Sequence, residues 1–444
     1  MINLYRHQLV ALNYLRFNDG YMLCMEQGTG KTLPTLTRIL ELILMGSIKN
    51  CLVVCPKSVI GSWQRDSEKF TEKQQKLLAK VVSVINYDKV WRGTFYLKQW
   101  DCIVLDEAHC IKNRTSKRAA FLLNLAIGAK YRYLLTGTPI SNGQLENLWS
   151  LICFLEPYKS GRSVCSKIFA ERDGGRGTYA EWCNKYAYLD QYHKPYRYHN
   201  VRQLQEIFHE FSFRVTKEQC LDLPAKLPDE IRDITLVGGK KIYKDIAKTS
   251  ASLELDFIAD NPLVRLTKLR QLASGFFIQE NGSAVDYDSE KKQALVDLLD
   301  SISGKLVIFA EFKYSIKTIC KVLTDKKIKF VVLDGDQKDK TIWREFQNDE
   351  SITVIVCQYA SACQGIDLYA SSRILYYEPC IRSSQYEQSQ DRIHRNGQKQ
   401  KCSYIHFITK GTVEEAIYKA LKGYSNFNEK LFTQYLQEYQ RSKR

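Results

Sequence analysis

No apolar run in this chain approaches the roughly 18–20 residues that a membrane-crossing helix needs. The stretch "ILELILMG" is short and carries Glu41. The N-terminus, "MINLYRHQLV", lacks the apolar core of a secretory signal. These absences lead us to expect a soluble protein, cytoplasmic in a bacterium or a virus-infected cell and nuclear in a eukaryote. The 14 cysteines are scattered and never fall in C-x-x-C pairs, which argues against a zinc knuckle. Cys51 and Cys55 lie on an expected buried strand, where a reduced thiol acts as a small hydrophobe. Seven dispersed histidines indicate no metal centre. Short repeats and low-complexity tracts are missing. No heptad pattern supports a stable dimer, so a monomer is expected. Carboxylates are scarce beside the cations: 49 Asp and Glu against 65 Lys and Arg, for a net charge of +16. A phosphate-rich partner explains the excess; a merely basic soluble protein is the alternative.

What is present is enough for two or three domains, since 444 residues at 44% hydrophobic exceed a single core. Short β-branched runs recur between helical patterns. The first half offers residues 21–24, 51–55, 81–85, 102–105 and 132–136; the second offers 305–310, 329–333, 352–356, 373–377 and 403–408. Near-continuous apolar strands alternating with helices predict parallel sheets covered on both faces. Two such sets predict an α/β protein of two lobes. Between them, strand-like runs are scarce and Tyr, Lys, Arg and Gln accumulate, so helical insertions are expected there. The expected division is 1–152 for the first lobe and 153–225 for its helical insertion and return. A helical insertion of the second lobe then spans 226–290, and that lobe itself 291–444. Two prolines in "LPAKLPDE" mark the boundary.

Three strand ends carry chemistry. "YMLC" leads to "MEQGTGKT", which places Gly28, Thr29, Gly30, Lys31 and Thr32 between a strand and a helix. Glycines let backbone amides turn inward, the helix start adds partial positive charge, and a lysine there reaches terminal phosphates. Thr32 can offer a hydroxyl to Mg²⁺. The usual first glycine is replaced by Met25, so a glycine-rich turn without a ligand is the competing reading. "DCIVLDEAHCIKN" delivers Asp106 and Glu107 at the carboxyl end of an apolar strand, where α/β sheets bind ligands. Asp106 can hold a metal, and Glu107 can orient or deprotonate water. "YLLTGTPISN" ends a third strand in Thr136, Gly137 and Thr138, which suit either a nucleotide sensor or a tight turn.

The ordered set "GTGKT", "DEAH", "LTGTPISN", "QGIDL" and "QSQDRIHRNGQ" resembles the helicase-like ATPases of superfamily two. The flanking "LVVCPKSVIGSWQRDSEKF", "FRVTKEQCLDLP", "LRQLASG" and "VIFAEF" narrow it to the Swi/Snf family of double-stranded DNA translocases, over about Leu4 to Leu421. The resemblance implies two RecA-like lobes that use ATP and Mg²⁺. It implies that Gln8 reads adenine, and that Gly28, Thr29, Gly30, Lys31 and Thr32 hold the nucleotide. Thr32 and Asp106 would hold Mg²⁺, with Glu107 as the catalytic acid. In the second lobe Gly365, Asp367 and Gln388 would line the nucleotide site. Arg392 and Arg395 would be arginine fingers facing the triphosphate across the cleft, with His394 packing beside them. Lys57, Trp63, Lys112, Asn113 and Gln358, in the turn 358–365, would contact DNA backbone independently of sequence. A solvated face is the alternative for each lysine, and the core for Trp63.

The sequence also departs from the family pattern. Met25 and Gln27 replace the usual acid and Met of the phosphate loop, and Asp367 stands where Asn is common. "YYEPCIRS" lacks the usual Trp-Asn. With short insertions and no accessory domain, the chain reads as a bare motor that remodels protein–DNA complexes, forks or junctions. A strand-separating helicase is the alternative. A nucleotide-gated binding module is a third reading, disfavoured by the complete set of Lys31, Asp106, Glu107, Arg392 and Arg395.

Overall fold

All ten apolar runs form strands, and their alternation shows why they read as continuous. On one strand Met22 and Cys24 enter one core while Tyr21, Leu23 and Met25 enter another on the opposite face. Val307 and Phe309 are likewise separated from Leu306, Ile308 and Ala310. A strand buried on both faces has no polar side, so period-two alternation disappears from its sequence. The structure, a computed structural model, describes residues 3–441 apart from 141, 142, 256, 288, 338, 340, 363, 364 and 424. The chain divides into two units, Met1–Asp222 and Leu223–Arg444.

The first unit holds β1 (Gly20–Met25), β2 (Cys51–Cys55), β3 (Val82–Asn86), β4 (Cys102–Asp106), β5 (Tyr131–Leu135) and β6 (Ser212–Val215). They pair in parallel in the order β6-β1-β5-β4-β2-β3. Thus β5 separates β1 from β4, and all three end on one sheet edge. Within 153–225, expected as a helical insertion and return, the residues before β6 hold helices and two β-hairpins besides. The hairpins are Pro157–Ser160 with Ser163–Ser166, and Ala187–Leu189 with Pro195–Tyr198. Their strands are three or four residues long and mix buried or half-buried with exposed positions, so they carry no apolar run.

The second unit holds β7 (Glu230–Ile234), β8 (Leu306–Ala310), β9 (Phe330–Leu333), β10 (Val354–Gln358), β11 (Arg373–Tyr376) and β12 (Ser403–Thr409). Their order is β7-β12-β11-β8-β10-β9, again all parallel. β7 falls where a helical insertion was expected; it is an edge strand of the sheet. Helices Lys240–Thr249 and Pro262–Ala273 pack into one core of this unit. Among the described residues no helix is long and apolar enough to cross a membrane.

A buried ion pair ties this unit together. Lys291 Nζ donates to Glu414 Oε1 at 2.6 Å, and both side chains are essentially inaccessible. The other carboxylate oxygen accepts the Thr409 amide at 2.9 Å. Glu414→Ala strands the ammonium, and we expect a loss of about 3–5 kcal/mol in denaturant unfolding. A Lys291→Met/Glu414→Met double variant removes both charges and should recover most of that loss.

Candidate nucleotide and nucleic-acid sites

The loop after β1 turns where only glycine is comfortable: Gly28 and Gly30 have φ of 84° and 78°. A side chain at Gly30 would also run into the amide of Gln8. Lys31 folds back over this turn, and its Nζ donates to the Met25 carbonyl at 2.9 Å. Thr32 begins the helix Thr32–Leu44. Thr29 closes the loop through Oγ1 to the Glu26 carbonyl, 2.7 Å. Gln8, on helix Arg6–Phe17, is buried against the loop rather than solvated. Its Nε2 donates to the Gly30 carbonyl at 3.0 Å, and its Oε1 accepts the Tyr5 amide at 3.0 Å.

The acid pair ends β4 two strands away. Asp106 Oδ2 accepts the Trp63 indole N–H at 2.8 Å, and Oδ1 accepts the Glu107 amide at 2.9 Å. Burial, then the adjacent Glu107 charge, pushes the Asp106 carboxyl up to about 6, against the pull of Lys31 and of the Trp63 hydrogen bond. Glu107 sits in left-handed backbone, φ 53°, which is unusual for a residue with a Cβ. That turn aims its carboxylate at the phosphate loop: Gln27 Nε2 donates to Glu107 Oε1 at 3.1 Å. His109 Nδ1 lies 3.3 Å from the other oxygen. At the end of β5, Thr136 is fully buried, and Gly137 packs so closely on the loop that an added Cβ would sit 3.4 Å from the Gln27 amide. Three motifs far apart in sequence therefore meet on one sheet edge.

Sequence reasoning missed part of this set. Gln27 was noted only as a departure, and nothing in the sequence singled out its contact with Glu107. Lys217, buried just after β6, binds Glu26 of the same loop. Its amide donates to Oε2 at 2.8 Å, and its ammonium lies 3.8 Å from Oε1.

In the second unit the arginines face their own chain. Arg392 donates from Nε to the Gln388 carbonyl (2.9 Å) and from Nη1 to the Ile366 carbonyl (3.1 Å). Arg395 donates to the same Ile366 carbonyl at 3.0 Å and forms an ion pair with Asp367. The loop of Gly365 and Asp367 and the segment of Gln388, Arg392 and Arg395 are thus one cluster. Arg392 is buried, whereas Arg395 and Asp367 keep about a quarter of their side chains exposed. His394 is buried and donates from Nε2 to the Pro224 carbonyl at 2.9 Å.

The expected DNA contacts differ in placement. Lys57 is exposed in a short 3₁₀ turn after β2, and Asn113 is exposed after the acid pair. Asn113 Oδ1 closes a local turn by accepting the Thr115 amide at 3.1 Å, and Lys112 beside it is half-buried. Gln358 bridges two loops, donating to the Glu311 carbonyl and accepting the Gly335 amide, both at 3.2 Å. Trp63 requires correction: it is 2% exposed and its only N–H is spent on Asp106, so it holds the acid and is not available to DNA. Cys363 and Gln364 of the turn 358–365, and Ser141 and Asn142 after "TGTPI", lie outside the described residues.

The chain is similar in sequence to known proteins over most of its length. Residues 5–274 match the SNF2-related domain, and residues 290–397 match the helicase conserved C-terminal domain. An ATP-dependent helicase of Mycoplasma pneumoniae is 25% identical over 90% of this chain and 39% of its own length. The ATP-dependent helicase fft1 of Schizosaccharomyces pombe is 25% identical over 94% of this chain and 52% of its own. The chain therefore spans about half or less of these curated relatives. The solved Sulfolobus solfataricus SWI2/SNF2 ATPase core in complex with dsDNA is 25% identical, covering 97% of this chain and 92% of that one, with a TM-score of 0.44.

Proposed function

The chain belongs to the SNF2-related family, with its paired helicase C-terminal domain, and on that premise we propose that it hydrolyses ATP to move along double-stranded DNA. Its work would be to remodel protein–DNA complexes, forks or junctions. The observation that carries the reading is the direct contact between phosphate loop and acid pair, through Gln27 and Glu107, 80 residues apart. A glycine-rich turn with no ligand has no reason to hold a carboxylate at its mouth.

In this reading Lys31 exchanges the Met25 carbonyl for phosphate oxygens, and the amides of Gly28 and Gly30 turn toward the same anion. Glu107 orients a water and takes its proton. Arg392 and Arg395 neutralise the charge that develops on the transferred phosphoryl group. Gly365, Asp367 and Gln388 line the nucleotide site, where Asp367 pairs with Arg395 and the Gln388 carbonyl accepts from Arg392, and Gln8 secures the phosphate loop beside the base. Asp106 and Thr32 fit Mg²⁺. Both offer hard oxygens, and a buried carboxylate raised by its neighbour's charge is the kind of site a divalent cation relieves. Bound there, the ion would spread the charge of the phosphates. In the first unit Lys57, Lys112 and Asn113 are proposed to touch DNA phosphates, and in the second Gln358, which braces two loops of its own unit, is proposed to do the same. Binding of that kind is sequence-independent and falls steeply with salt.

One set of assays tests the proposal: ATP hydrolysis without nucleic acid, with duplex DNA, with single strands and with RNA, then displacement of a third strand and separation of a duplex. We expect duplex-stimulated hydrolysis and third-strand displacement without strand separation. Robust unwinding would favour a true helicase, and hydrolysis indifferent to duplex would sink the translocase.

A further inference from the structure

The hairpin Ala187–Leu189/Pro195–Tyr198 of the first unit belongs to no motif described above, yet it exposes three large rings. Tyr188, Tyr192 and Tyr196 are 50%, 71% and 67% accessible. Burial of an aromatic ring is strongly favourable, so three uncovered rings on one short element require explanation. Its inner side is ordinary core: Leu189 and Tyr198 pack onto the cluster that holds Trp182 and Tyr186. The Tyr198 hydroxyl also donates to Glu146, on the segment leaving β5. The outer side differs. A register shift between Tyr188 and Leu189 leaves Tyr196 as an extra residue opposite them, the kind of bulge that re-aims a side chain.

The outer side is also cationic. The Arg197 guanidinium lies 5.9 Å from the Tyr188 ring centroid, and the His199 ring lies 4.8 Å from it. Lys194 and His193 are exposed beside Tyr192 at the tip. The hairpin's one carboxylate, Asp190, is turned inward: its Oδ1 accepts the amides of Tyr192 (2.8 Å) and Lys194 (2.9 Å). The tip is therefore built before any ligand arrives, which lowers the ordering cost of binding. Helix Tyr179–Tyr186, which feeds the hairpin, is pinned by Arg114, whose guanidinium lies 4.0 Å from the Tyr179 centroid. Arg114 follows Lys112 and Asn113, the segment proposed above for DNA phosphates.

Cations select a polyanion, and rings select flat apolar faces. Nucleic-acid bases offer both, but a paired duplex hides its base faces inside the stack. We propose that this hairpin is a stacking platform for unpaired bases flanking a duplex, with Tyr192 and Tyr196 as the principal rings and Arg197 and Lys194 neutralising the adjacent phosphates. The proposal rests on the duplex reading and deepens it. Among possible DNA substrates it selects forks, junctions and tailed ends over continuous duplex.

The test is equilibrium binding by the full chain, without nucleotide and at fixed salt. One probe is a plain duplex, the other the same duplex with an unpaired arm carrying 2-aminopurine. Stacking of one base predicts at least about fivefold tighter binding of the armed probe, with a change in 2-aminopurine fluorescence. Tyr192→Ala/Tyr196→Ala should bring the affinity ratio to about one, and Tyr192→Phe/Tyr196→Phe should restore it, because stacking needs the ring and not the hydroxyl. Thermal unfolding of each variant establishes that the fold is intact. A wild-type ratio of one, a ratio that survives the alanine pair, or failure of the phenylalanine pair would each overturn the proposal. Because the ratio needs no turnover, it judges the hairpin separately. A protein that prefers the armed probe yet shows no duplex-stimulated hydrolysis would cost the motor reading and not this one.

Discussion

Lys31→Ala should reduce duplex-stimulated ATP hydrolysis by at least a hundredfold, and the fold should survive it. The lysine sits between a glycine turn and a helix start, with Nζ 2.9 Å from the Met25 carbonyl. That carbonyl holds the ammonium in place at the phosphate loop. Loss of one preorganised donor to a developing charge costs about 10²–10³ in rate, or roughly 3–4 kcal/mol of barrier. Alanine at this position removes no strand and no core side chain. The thermal midpoint should move by a few degrees at most, on the order of 1 kcal/mol. Lys31→Arg should fail nearly as badly, since a planar fork does not replace a point charge inside so tight a turn. Turnover close to wild type in the alanine variant would remove Lys31 from the reaction.

The second large effect is expected for Arg395→Ala. Two roles make different predictions. As a partner of Asp367, with both side chains about a quarter exposed, Arg395 contributes about 0–1 kcal/mol to stability and nothing to catalysis. As an arginine finger it contributes about 10³–10⁵ in turnover, or roughly 4–7 kcal/mol of barrier. The measured rate therefore separates the roles by orders of magnitude, with unfolding as the control. Single-turnover kinetics at saturating ATP should place the loss in the chemical step and leave nucleotide affinity less affected. A variant that loses stability but keeps its rate would return Arg395 to a structural role.

Legibility followed burial. Eight of the ten readable runs are inner strands, where residues such as Val53 and Val104, or Ile308 and Ile355, are enclosed on both faces; the other two, Val82–Asn86 and Phe330–Leu333, are edge strands that still carry a β-branched run. Of the strands that escaped, two belong to the large sheets, each at the edge opposite a readable one, and the rest form short hairpins. Ser212–Val215 carries Arg214 outward, and Glu230–Ile234 holds three charged residues among its five, so neither resembles a core strand. The site divides in the same way. Lys31, Asp106 and Glu107 were readable because a strand end and a fixed spacing constrain them. The contacts Gln27–Glu107, Trp63–Asp106 and Arg395–Asp367 join positions 80, 43 and 28 residues apart, or depend on a single rotamer. Trp63 is named on the resemblance, which groups it with Lys57 after the second strand. Its indole instead turns inward, toward a carboxylate that sequence proximity does not suggest.

The grip of Asp367 on Arg395 bears on how the protein idles. A guanidinium already matched with a carboxylate gives up one anion to accept another, so its transfer to a phosphoryl group is an exchange of near-equal partners rather than a rescue from solvent. Such an exchange runs easily in either direction. If Arg395 serves the proposed motor as a finger, premature engagement would be undone before any bond breaks, and little ATP would be spent in the absence of DNA. An amide at 367 would remove that brake, and its signature would be wasteful burning of ATP in the absence of DNA.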